Sequence, residues 1–227
     1  MYNKDLGTAS TAVKKAINDV GQPPRGINVW TEGTMQLLDD TLGSLLTGLA
    51  VAIIAIFLML SGYYQSFKVP LIILSVIPAV ITGSLILLFL SNSTLNLQSY
   101  MGIIMSIGVS VSNAVLLVNQ AEYYRKNMAL KPVNAARLAA ASRLRPILMT
   151  AAAMLAGMLP MAIGIGDGAE QVAPLGRAVI GGLVASTLAI LLLLPHFFSS
   201  LMSKTAIISP SLDPDDEESQ FFSNQTR

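Results

Sequence analysis

Five long apolar runs, almost free of charge, constrain this chain more than anything else in it. They fall at 42–60, 71–90, 97–118, 147–165 and 175–194. The first four contain no Asp, Glu, Lys or Arg, and the fifth contains only Arg177. A helix of about 20 apolar residues crosses the hydrocarbon core of a bilayer. A soluble helix of that length would carry a polar stripe along the side facing water, and none of the five has one of useful width. Charged residues make up 12% of the chain, about half the share typical of a soluble domain. The expected fold class is therefore all-α membrane, with five transmembrane helices.

Composition also excludes partners and chemistries. A net charge of +1 leaves no basic excess to meet phosphates, so no nucleic-acid partner is expected. There is no cysteine, and His196 is the one histidine, so a cysteine- or histidine-built metal cluster is not expected. No Gly-rich segment precedes a Lys-Ser/Thr pair, and no nucleophile–base–acid set is visible. The reading is a non-enzyme without cofactor.

Proline and basic residues set boundaries and orientation. Pro70, Pro146 and Pro174 stand where helices would begin, a position that tolerates proline. Pro195 follows the fifth apolar run, while Pro78 and Pro160 lie inside spans, as kinks or hinges. The spans are expected at about 34–61, 70–91, 97–127, 145–166 and 174–202 of a membrane domain covering 34–203. A short amphipathic helix near 132–142 is expected to lie along the membrane surface, with Val133, Ala136 and Ala140 inward. The connector after the third span carries Arg125, Lys126, Lys131, Arg137, Arg143 and Arg145 against one acid, Glu122. The connector after the first carries Lys68. Those connectors share a side, which the positive-inside rule makes cytoplasmic. The N-terminal segment is then periplasmic, and the tail at 204–227 is cytoplasmic and disordered.

The first 33 residues form a second unit. Leu6, Val13, Ile17 and Val20 recur at near-helical spacing, and Ile27, Val29 and Thr31 alternate as in a strand. One helix and one strand cannot bury their apolar faces alone. The expectation is a remnant of a larger periplasmic subdomain, and hence a fragment of a longer protein.

Polar residues inside spans are candidates for function. Gly102, Ser106, Ser110 and Ala114 repeat every fourth residue on one face of the third span, which permits close approach of a neighbouring helix. Gly157 in the fourth span belongs to the same class of packing residues. The serines read as interface hydroxyls before they read as a ligand site. Asn113 has two readings, an interhelical hydrogen-bonding group or a relay, and either directs it into the bundle. Thr150, one turn into the fourth span, reads most simply as a threonine bonded to its own helix. Arg143 and Arg145 should reach toward headgroups; Arg177 could do the same or pair with Asp167 or Glu170. Met149, Met154, Met158 and Met161 read as packing rather than a metal path. No span interior holds an acid, so the chain alone lacks the usual means of coupling to an ion gradient. Ser110, Asn113 and Thr150 are expected to face one another across the third and fourth spans.

Several ordered motifs resemble one family. They are Asn113-Ala114-Val115-Leu116-Leu117-Val118, Ala135-Ala136, Arg143-Leu144-Arg145-Pro146-Ile147-Leu148-Met149-Thr150, Gly157-Met158-Leu159-Pro160, and Pro174-Leu175-Gly176-Arg177-Ala178-Val179-Ile180-Gly181-Gly182-Leu183. With Gln65-Ser66-Phe67 and Leu95-Asn96 upstream, they resemble the C-terminal membrane half of resistance-nodulation-division (RND) efflux transporters. The resemblance implies the last five of twelve spans of a proton-driven exporter of the bacterial inner membrane. It also implies a homotrimer, an N-terminal half carrying relay aspartates, a periplasmic adaptor and an outer-membrane channel. Carried over by motif, Arg143, Thr150 and Asn113 stand at relay-associated positions, and Ser112 stands where the family has a lysine. Losing that cation would leave the aspartates without a counter-charge. The alternative reading is a non-transporting relic, scaffold or regulatory partner of an intact pump.

Overall fold

The computed structural model describes residues 34–202 apart from Ala129 and Asp167, with isolated positions at 12, 15–17 and 19; side chains are described at those positions and from Asp40 onward. The expected N-terminal helix, the strand at 27–32 and the C-terminal tail lie outside the described residues. Every regular element among the described residues is helical: α1 (Thr34–Tyr64), α2 (Lys68–Leu74), α3 (Ile77–Leu90), α4 (Leu97–Asn127), α5 (Pro132–Ile163), α6 (Ala169–Leu188), a π-helical segment (Ala189–Leu193) and α7 (Leu194–Met202). Five stretches are long and apolar enough to cross a membrane: Asp40–Tyr64, Lys68–Leu90, Leu97–Asn127, Pro132–Ile163 and Ala169–Met202. The chain is a multi-pass, all-α membrane protein. It divides into two compact units, Met1–Ile54 and Ala55–Arg227; the described part of the first is the leading portion of α1 and the isolated positions before it.

Prolines place the irregularities. Pro78 lacks an N–H and its ring crowds the carbonyl four residues back, which belongs to Leu74. The second span accordingly stops at Leu74 and restarts at Ile77. Pro146 does not begin a helix: α5 runs through it from Pro132 to Ile163. The surface helix expected near 132–142 and the fourth span are thus one element, in which membrane surroundings tolerate the missing bond. The buried face of its first part is Ala135, Ala136 and Ala139; Val133 is exposed. Pro195 does not close the last span either. The backbone widens into a π turn just before it and continues as α7, which accommodates a residue without an N–H.

Two helix ends are set by local chemistry. Asn96 and Ser99 form a reciprocal capping box on α4: the Ser99 N–H donates to Asn96 Oδ1 at 3.0 Å and the Asn96 N–H donates to Ser99 Oγ at 2.8 Å, satisfying two orphan donors. Gly164 closes α5 in the left-handed region at φ 78°, where glycine has no Cβ penalty.

The centre of the second unit is α6, which packs against α3, α4 and α5. It can touch all three because its glycines face them. A Cβ on Gly176 would lie 2.8 Å from the Ala162 nitrogen in α5, and one on Gly182 would lie 2.8 Å from the Ser106 Cβ in α4. A Cβ on Gly102 of α4 would meet the Leu175 carbonyl oxygen at 2.7 Å. Lipid is as apolar as a leucine side chain, so membrane helices associate by close packing rather than by the hydrophobic effect. The apolar surface is turned outward accordingly: Met59, Phe89, Met149 and Leu192 are all at least 70% exposed.

Candidate functional site

The third span presents two faces. Gly102, Ser106, Ser110 and Ala114 are all buried, as the four-residue repeat requires. The Ser106 hydroxyl donates to the Gly102 carbonyl at 2.9 Å and lies 3.4 Å from that of Val179 in α6. Ser84 of α3 donates across to the Ala178 carbonyl of α6 at 2.8 Å. On the opposite side, Met101, Met105, Gly108, Ser112, Leu116, Asn119 and Tyr123 are exposed along the whole of α4.

The relay candidates are divided between those faces. Asn113 points inward and is 8% exposed. Ser112 sits mid-way along the exposed face. Thr150 is also exposed, and its hydroxyl donates to the Pro146 carbonyl of its own helix at 2.9 Å. The expected trio is therefore not a single cluster: Ser110 and Asn113 are interior, and Thr150 lies on the outer side of α5. The reason is rotational. The packing face of α5 in this region is Ile147 and Ala151, and Thr150 is about 100° away from Ala151 on a 3.6-residue helix. Gly157 shares the exposed side, with open space where a Cβ would stand, and takes no part in the packing among these helices.

Three arginines have definite partners. Arg143 donates from Nη2 to Gln120 Oε1 at 3.0 Å, tying α5 to the C-terminal part of α4. Arg125 is 4% exposed and pairs with Glu122 one turn back at 3.2 Å; basicity and position gave no hint that it would be buried. Arg177 donates through Nε to the Ala162 carbonyl at 2.9 Å and through Nη1 to Ser93 Oγ at 2.6 Å. It thus takes one of the last carbonyls of α5, where a cation is favoured by the helix dipole, and holds the α3–α4 loop. Its described partners are protein oxygens, and Glu170 is not among them. An Arg177→Lys chain keeps the charge but loses the planar fork that reaches both acceptors. Its unfolding free energy in detergent should fall by about 1.5–3 kcal/mol, the worth of charge-assisted hydrogen bonds; an unchanged value would mean that the clamp is not structural.

The comparisons follow this geometry. The description "AcrB/AcrD/AcrF family" matches residues 2–202. The chain belongs to that family. It is an RND efflux transporter family member, as the ordered motifs implied. Among curated relatives it is 38% identical over 202 residues to "Multidrug resistance protein MdtC" of Yersinia enterocolitica, covering 88% of this chain and 20% of that protein. It is 36% identical over 183 residues to the protein of the same name of Salmonella paratyphi C, covering 81% of this chain and 18% of that protein. A solved structure described as a heavy metal efflux pump superposes with a TM-score of 0.75 at 29% identity, covering 90% of this chain and 20% of that one. This RND-family chain spans about a fifth of the length of the relatives it matches.

The core of this family member was only partly foreseen from α4. The contributions of Gly83, Gly176, Gly181 and Gly182 were missed, although glycines recurring in the last span were a signal available in the sequence.

Proposed function

We propose that this chain is the membrane segment of a proton-driven RND-type efflux permease that exports small molecules across the bacterial inner membrane. It would act with the segment that forms the remainder of its relatives' length. The observation that supports this best is the outward placement of Ser112 and Thr150. Polar groups on a lipid-facing surface are unfavourable, and both stand at relay-associated positions. A face carrying them suits a second helical bundle that brings the titratable acids. Asn113 and Arg143 complete the proposed relay set from the inner side, and no cofactor beyond the proton gradient is involved.

The proposed topology puts the connector between α4 and α5 in the cytoplasm, following its basic residues. The proposed assembly is a homotrimer with a periplasmic adaptor and an outer-membrane channel. Small organic molecules are favoured as cargo because the curated relatives at 35–38% identity carry multidrug names. The methionines on α5 remain read as packing or lipid contacts.

Complementation tests the proposal. The chain is expressed in cells lacking their major RND pump, alone and with a matching N-terminal half, and dye efflux is measured. Efflux is expected only with both halves, and Thr150→Ala should reduce it about 100-fold or more, from the lower end of the range attributed to a positioned proton-transfer group. Membrane-inserted chain without efflux in either case would sink the transport reading. Ser112 in place of the family's lysine would then favour the scaffold or relic reading.

A further inference from the structure

Where α3, α4 and α6 meet, buried hydroxyls are satisfied by backbone carbonyls. Ser84 donates to Ala178, Ser106 to Gly102, and both Ser186 and Thr187 to Leu183. Ser110 is the exception. Its side chain is fully buried, yet its Oγ has no partner and does not fold back onto its own helix as Ser106 does. One turn on, Asn113 is only 8% exposed, and its amide makes no hydrogen bond among the described residues. Residues three apart on a helix are neighbours, so two polar groups without a described partner share one patch of the α3–α4–α6 junction, where Ser84, Ser106, Ser186 and Thr187 are all paired.

Register says what faces them. Gly102 lies against Leu175 and Ala178, and Ser106 against Val179 and Gly182. Both helices rise equally per residue and run parallel, so the next turn of α4 brings Ser110 to the level of Leu183 and Ser186. Asn113 then comes to the level of Thr187 and the start of the π segment. Ser186 and Thr187 have each donated their one proton to the Leu183 carbonyl and keep free lone pairs. That level holds two unused donor groups on α4 and acceptors on both helices.

We propose that an ordered internal water occupies this level between α4 and α6, accepting from Ser110 or the Asn113 NH2 and donating to Asn113 Oδ1 and a hydroxyl of Ser186 or Thr187. A buried water makes about three such bonds to groups left unpaired by the protein. Leaving the groups unpaired in hydrocarbon would be costly. A cation is the poorer occupant, because the oxygens are neutral and no carboxylate on this face would offset its charge. The inference does not depend on the chain transporting anything.

Nuclear magnetic resonance on the full chain in lipid nanodiscs, with 15N-labelled asparagine, tests it. The Asn113 side-chain amide is assigned by its disappearance in Asn113→Leu. A magnetisation-transfer cross-peak from long-lived water to that amide is expected in the unsubstituted chain. It should be lost in Ser110→Ala and kept in Ser106→Ala, whose hydroxyl is spent within its own helix. Ser110→Cys, close in size and a weak hydrogen-bonding group, should weaken the peak should Ser110→Ala not fold. Absence of the peak from the unsubstituted chain would overturn the proposal. So would its persistence in Ser110→Ala, or at undiminished intensity in Ser110→Cys, since water would then reach Asn113 without the serine.

Discussion

Gly181→Leu is expected to lower the unfolding free energy of this chain by at least about 3 kcal/mol, the upper part of the range for overpacking a filled core. The site leaves no slack. A Cβ on Gly181 would fall on the Gly83 carbonyl oxygen of α3 and 2.7 Å from the Leu87 Cβ. The clash is reciprocal, since a Cβ on Gly83 would meet Ala185 and the Gly181 carbonyl. Backbone meets backbone here, so no side-chain rotation can relieve the overlap, and α3 must move off α6. That separation would also stretch the Ser84–Ala178 hydrogen bond. Unfolding of the chain in mixed detergent micelles with rising dodecyl sulfate measures the effect. Gly157→Leu and Gly108→Leu are the controls, because a Cβ at either meets nothing within 4 Å. Both should stay within about 0.5 kcal/mol of the unsubstituted chain. If all three variants unfold alike, close α3–α6 contact is not what organises the bundle.

The contrast between those glycines marks how far the sequence could be read. Span existence was legible because a charge-free apolar run is a property of the run itself. The buried face of α4 was legible for the same reason: Gly102, Ser106, Ser110 and Ala114 repeat within one helix. Gly157 was misjudged because small size alone does not say which way a residue points; that depends on the neighbours of α5. Pro146 and Pro195 were read as boundaries, yet one lies inside a continuous helix and the other follows a π turn. Both outcomes depend on surroundings that supply no competing water. The relay positions came from motif resemblance, which carries residue identity but not rotation. Only coordinates separate inward Asn113 from outward Ser112, its immediate neighbour in sequence.

Arg125→Met is expected to destabilise the chain by about 3 kcal/mol, the lower end of what removing one partner of a buried ion pair costs. The Arg125 and Glu122 side chains are 5% and 13% exposed, with 3.2 Å between Nη1 and Oε1. Methionine fills much the same volume, so the loss is chiefly electrostatic, with only Lys126 left near Glu122 to offset its charge. Removing the acid's charge as well should reverse most of the damage. The double variant Arg125→Met, Glu122→Gln is therefore expected to recover at least half of the lost stability, as a double-mutant cycle of coupled neighbours should. An additive result would show that the two side chains act independently, and that Arg125 is held by its other contacts rather than by Glu122. The pair sits beyond the apolar core of the third span, one to two turns past Val118, next to the Arg143–Gln120 bond that joins α4 to α5. Arg125 within α4 and Arg143 from α5 thus fix the C-terminal end of α4 through side-chain bonds, while glycines fix its N-terminal half through backbone contact.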